Sequence, residues 1–202
     1  MKRWICAVLL SLAPWAGASD SDPAAVVAPL FAARDAFYED VNKFQAGSLT
    51  EAQLVERISD QFAPLLDDRK VALRVMGRFA RQASEDARVM FTERLEASLV
   101  DAYARGLAGY GGEQLVLPET GVILKPGRAM VEARLESPGK DPLPIQFAMG
   151  YHPDNGWLVE NVVIAGINLG VTLRNQFADL VKSSGSIEGA IESWTFESVS
   201  AN

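Results

Sequence analysis

The chain has 202 residues, 49% of them hydrophobic, and its 26 acidic against 19 basic side chains give a formal charge of −7. That balance argues against a nucleic-acid surface and against lasting adsorption to an anionic membrane, which polybasic segments provide. With one histidine and one cysteine there is no zinc-ligand spacing and no disulfide framework, so neither a metal site nor a hydrolytic triad is expected.

Lys2 and Arg3 precede an uncharged apolar run over residues 4–12 and a small-residue stretch ending Ala16-Gly17-Ala18. This is the pattern of a cleaved secretory signal peptide, residues 1–18. The run is about half of the roughly 20 residues a spanning helix needs, and Asp20 and Asp22 follow at once. Cys6 lies within the leader, so residues 19–202 would reach an oxidising compartment with no disulfide and would be held by their core alone.

Residues 23–110 read as helices, 114–165 as strands and 169–196 as helices again, within one domain over 19–202. A first helix over 23–44 carries the stripe Phe31, Phe37, Val41 and Phe44, and Gly47 closes it. Thr50 and Glu51 start a second, with Leu54, Ile58 and Phe62 at four-residue spacing. After Pro64 and Asp67-Asp68 a third helix is expected to carry Val71, Val75 and Phe79. Ser84 then caps the longest, with Phe91, Leu95, Leu99, Tyr103, Leu107 and Tyr110 on one side up to Gly111-Gly112.

Val131, Ala133 and Leu135 alternate with Glu132, Arg134 and Glu136, as in a strand with one wet face. Leu143, Ile145, Phe147, Met149 and Tyr151 form an unbroken apolar face, and Pro153-Asp154-Asn155-Gly156 turns the chain into a strand over 157–165. His152, beside this turn, reads as a solvated turn histidine. The acid pairs Asp67-Asp68 and Glu85-Asp86 are explained by helix starts. The fold class is α+β: a twisted antiparallel sheet of about four strands, packed against a mostly helical N-terminal half and the C-terminal helices. Such apolar faces either fill an ordinary core or enclose a cavity.

The stretch from Trp157 through Val162 and Gly166 to Arg174, Gln176 and Phe177 resembles the signature of the MlaC family, also described as toluene-tolerance auxiliary proteins. In that family a Trp-led strand ends in a Val-x-x-x-Gly turn before a helix carrying Arg-x-Gln-Phe. The block Met76-Gly77-Arg78-Phe79-Ala80-Arg81-Gln82-Ala83, followed by Arg88, Phe91, Leu95, Leu99 and Tyr103, is similar to the family's helical half. The chain departs from the family at Ala80 (usually tryptophan), Asn161 (aspartate), Asn168 (serine) and Leu173 (aromatic).

The resemblance implies a soluble periplasmic phospholipid carrier with both tails buried and the headgroup largely in solvent. Its implied partners are an inner-membrane ABC-transporter complex and an outer-membrane lipoprotein complex. No cofactor is implied, phospholipid being cargo, and a monomer is expected. The residues expected at the tails are Tyr103, Leu107, Val131, Leu135, Ile145, Phe147, Met149, Val163, Leu169 and Phe177. Arg174 is expected to anchor the turn into its helix. Two other readings are an isomerase-like enzyme with a cone-shaped cavity, which needs an acid or base in the pocket, and a protein-only periplasmic adaptor.

Overall fold

A computed structural model describes residues 20–108 and 111–196, the side chains of 103–108 excepted. The leader falls outside these residues. Helix α1 spans Pro23–Gln45, started by Asp22, whose carboxylate accepts from the Ala24 amide at 3.0 Å, with proline at its first position. Helix α2 spans Glu51–Phe62 behind a reciprocal cap between Thr50 and Gln53.

A 3₁₀ turn over Ala63–Leu65 leads to α3, Asp68–Met76, capped by Asp67. The expected helix through Phe79 stops early because Gly77 takes a φ of +56°, and Phe79 lies on a 3₁₀ stretch, Gly77–Arg81. Helix α4 covers Glu85–Ala108, and after the sheet come α5, Leu169–Ser184, and α6, Ile187–Glu192.

Among the described residues six strands stand where about four are expected: β1 Gln114–Val116, β2 Val122–Lys125, β3 Arg128–Glu136, β4 Leu143–His152, β5 Gly156–Ile164 and β6 Ile167–Asn168. The surplus is in pieces of two to four residues, too short to show alternation. Pairing is antiparallel throughout, in the order β1-β3-β4-β5-β6, and β1 and β2 share one edge of β3. The expected hairpin is present, with His152 opposite Gly156.

Apolar side chains bury into separate cores rather than one. Val26, Val27 and Leu30 of α1 cover Ala129, Val131, Ile145, Met149, Trp157 and Val159 of the sheet. Helices α3 to α6 pack on one another around Phe91, Phe177 and Trp194, with Phe91 and Phe177 ring centres 4.6 Å apart. Phe37 and Val41 of α1 close a third cluster with Leu54 and Ile58 of α2. The first two clusters are separate, and the seam between the helical core and the sheet runs between them.

Candidate functional site

The seam is organised by one irregularity in β5. Trp157 lies opposite Tyr151 and Val159 opposite Met149, but the next partners are Asn161 with Ala148, Val162 with Phe147 and Ile164 with Ile145. Glu160 is the extra residue of a β-bulge. The bulge changes which residues face inward: Trp157 and Val159 before it, Val162 and Ile164 after it, all pack on the sheet core. Val163 therefore pairs with Gln146 on the other face, although residue-by-residue alternation from Trp157 would turn it inward.

Glu160 leans over Gly150, where a Cβ would stand 1.9 Å from its carboxylate oxygen. Its side chain is almost wholly buried and is met by three cations: Arg74 at 2.7 Å, Lys70 and Arg128. Arg74 also donates to the Glu160 backbone carbonyl at 3.3 Å. Burial pulls the carboxyl upward, but the Lys70 hydrogen bond and the charges of Arg74, Lys70 and Arg128 together outweigh it and hold it below the ordinary range.

Beside it, Asp67 is 2.7 Å from His152 and 3.5 Å from Lys70, and its backbone amide donates to the Val159 carbonyl at 3.1 Å. His152 is thus not a solvated turn residue; it ties β4 to the start of α3. The ligand atoms of Asp67, His152 and Glu160 lie within 4.8 Å of one another. A cation there would have to displace the lysine and arginines already bound to Glu160, so the donor set fits an ion-pair network and does not fit a metal centre.

Next to this network lies a cavity of about 60 Å³. Val71, Leu99 and Leu173 wall it from the helical core, and Leu66, Val159 and Val162 from the sheet side. Leu169 also lines it, and its rim is Glu160, Asn161 and Gly170. Through that rim it meets a polar groove of about 410 Å³ lined by Arg74 and Arg174. The rim is braced by two asparagines: Asn161 donates to Asn168 at 3.0 Å and accepts from the Gly170 amide at 2.9 Å, while Asn168 caps α5 through the Val171 amide at 3.1 Å. Two of the positions where the chain departs from the family pattern thus still meet, as an amide pair.

Of the eight expected site residues whose side chains are described, Leu169 alone is among those lining this cavity. Val131, Ile145 and Met149 are buried in the sheet core beneath α1, with Leu135 and Phe147 at its margin. Phe147 stands across from the cavity residue Val162. Phe177 is fully enclosed by Phe79, Phe91 and Trp194. Val163 is on the opposite sheet face, the inversion made by the bulge. Tyr103 and Leu107 sit on the last turns of α4, and their side chains lie outside those described. Sequence reasoning missed Leu66, Val71, Val159 and Val162, and it missed Glu160 as a buried ion. Leu173, noted as replacing an aromatic residue, is a cavity wall.

A family model described as "MlaC protein" matches residues 34–195. The toluene tolerance protein ttg2D of Pseudomonas putida is 25% identical over 142 residues, covering 66% of this chain and 62% of that protein; the match spans less than two thirds of the relative's length. A phospholipid-binding protein from Ralstonia solanacearum, solved in complex with a phospholipid, has a similar fold. It superposes with a TM-score of 0.70 at 21% identity, over 83% of this chain and 93% of that one. Among the described residues, no helix is long and apolar enough to cross a membrane.

Proposed function

The chain belongs to the MlaC family, and on that footing we propose that it is a soluble periplasmic carrier of diacyl phospholipids. It shuttles them between an inner-membrane ABC-transporter complex and an outer-membrane lipoprotein complex, and so maintains outer-membrane lipid asymmetry. The leader over residues 1–18 accounts for its export. The solved neighbour's bound phospholipid supports the cargo.

The observation that carries this reading is the apolar cavity at the seam between two separate cores. Two acyl chains hold roughly 30 methylenes, and leaving them in water costs on the order of 20 kcal/mol at about 0.8 kcal/mol each. They must be enclosed, yet about 60 Å³ is far below the roughly 300–1,000 Å³ of ordinary ligand clefts. The cargo therefore enters by parting α3 and α5 from β5, with each core remaining packed. The wall residues Leu66, Val71, Leu99, Val159, Val162 and Leu173, with Leu169 and Phe147 beside them, are the tail contacts on this reading.

The carboxylate nearest the cavity is a poor candidate for a catalytic base, because Lys70, Arg74 and Arg128 occupy its oxygens and lower its proton affinity below that of an ordinary carboxylate. Carriage, with no covalent step, is what this chemistry suits.

Native mass spectrometry of the mature protein purified from periplasm without detergent, followed by organic extraction, tests the proposal. Stoichiometric diacyl phospholipid released only on unfolding is the expected result. A bare protein that also takes up no phospholipid from vesicles overturns it.

A further inference from the structure

The polar groove outside the cavity continues, through Gly77 and Arg174, into a second hollow of about 500 Å³ between the 3₁₀ stretch and α5. Arg78, Arg81 and Arg174 line it. Among the described residues none of these three pairs with a carboxylate, although the chain carries seven more acidic than basic side chains. Asn161, Asn168 and Asn175 supply the remaining polar walls of the two grooves.

Among the described residues the only carboxylate lining either groove is Glu160, already matched by Lys70, Arg74 and Arg128. The Gly170 and Val171 amides at the start of α5 are used by Asn161 and Asn168, so the arginines are the free donors. Arg174 is seated rather than loose: its Cδ and Cγ lie 3.1 and 3.3 Å from where a Cβ on Gly77 would be. The Arg78 guanidinium is stacked 4.8 Å over the Phe79 ring. A net positive surface thus follows directly on the apolar mouth.

We infer that this arginine-lined groove makes the carrier select phospholipids with a net anionic headgroup. The inference rests on the carrier reading and deepens it. With the tails in the seam, the phosphodiester comes to the rim and the rest of the headgroup lies along Arg174, Arg78 and Arg81. A neutral glycerol-type headgroup leaves the phosphate charge for the guanidiniums, whereas an ethanolamine ammonium places like charge against them.

The test loads delipidated protein from vesicles holding equal phosphatidylglycerol and phosphatidylethanolamine and reads the bound ratio by native mass spectrometry. The same two headgroups are then offered as dispersed short-chain lipids, which present no membrane surface. The expected result is a preference of about threefold to tenfold for phosphatidylglycerol in both formats. The R78Q/R81Q/R174Q variant, its fold checked by circular dichroism, brings the ratio near one, and R78K/R81K/R174K keeps the preference.

An even ratio in the native protein overturns the inference while leaving carriage intact. So does an unchanged preference in the glutamine variant, or a preference confined to vesicles, which reports attraction to a surface. Inorganic phosphate is expected to weaken the preference more than chloride of equal ionic strength, by competing for the same guanidiniums; a preference weakened equally by both anions reports general screening and overturns it too. Absence of any bound phospholipid removes the carrier reading and this inference with it.

Discussion

The carboxylate of Glu160 occupies the space above Gly150 that any larger residue would fill, its oxygen 1.9 Å and its Cδ 2.5 Å from an ideal Cβ. The missing side chain on β4 is what lets the bulged residue of β5 fold back beneath Lys70, Arg74 and Arg128. One strand's glycine thereby fixes the ion pairs that hold α3 on the sheet.

Gly150→Ala is accordingly expected to evict Glu160 and strand its cations. Removing one partner of a wholly buried pair costs about 3–5 kcal/mol. Here the three cations are a third or more exposed, so water repays part of that and about 2 kcal/mol is expected. In a chain of this size that is a fall in Tm of roughly 4–8 °C, read by thermal denaturation. Gly150→Ala with an unchanged Tm would show that Glu160 does not need this space.

The same carboxylate gives stability a pH signature. Its folded pKa is depressed, so its contribution is complete above the unfolded value, near pH 4.3, and disappears as pH falls through the lower folded value. The wild type is expected to exceed Glu160→Gln in Tm by a constant margin from pH 5 upward. That margin should begin to shrink as the pH falls below the unfolded value and should keep shrinking toward the lower folded value. The other carboxylates titrate in both proteins and cancel in the difference. A margin that does not shrink at all as the pH falls below 4 would mean that the ionised form is not what stabilises.

The bulge yields a sharper contrast from two adjacent valines. Val162 lines the cavity, whereas Val163 faces away, opposite Gln146 and Asn168. Val162→Glu is expected to abolish phospholipid co-purification, since a buried unpaired carboxylate in the tail path costs several kcal/mol. Val163→Glu should retain lipid and change stability by about 0.5 kcal/mol or less. Lipid analysis of both purified variants checks this, and equal lipid loss would place the tails on both faces of β5.

Helix starts and the hairpin were legible because their signals are local: Pro23, Thr50 with Glu51, and Pro153 to Gly156 act within a few residues. The apolar faces of β3 and β4 could be read for the same reason, since their period of two is unbroken. The site was less visible because it depends on a break in period. Nothing in the string Leu158-Val159-Glu160-Asn161-Val162 shows that Glu160 is skipped, since the bulge follows from Gly150 on one strand and three cations on two other elements. The Asn161-Asn168 pair was equally hidden: each position read singly is a departure from the family pattern, and only their 3.0 Å contact shows that an amide pair still braces the rim.

Opening of the seam can be tested by preventing it. Leu66, just before α3, forms a parallel bridge with Val159 of β5, and the Asp67 amide follows with its bond to the Val159 carbonyl. Paired strands lie about 4.8 Å apart, inside the separation a disulfide tolerates, and the chain has no cysteine beyond Cys6. Oxidised Leu66→Cys/Val159→Cys protein should therefore hold α3 on the sheet. Its phospholipid uptake from vesicles is expected to slow by about tenfold or more, because conformations with α3 parted from β5 are removed from the ensemble. Reduction should restore the rate, which separates the staple from the effect of the substitutions. Uptake at the unstapled rate in the oxidised form would mean that the tails enter elsewhere, past α4 or between α1 and the sheet.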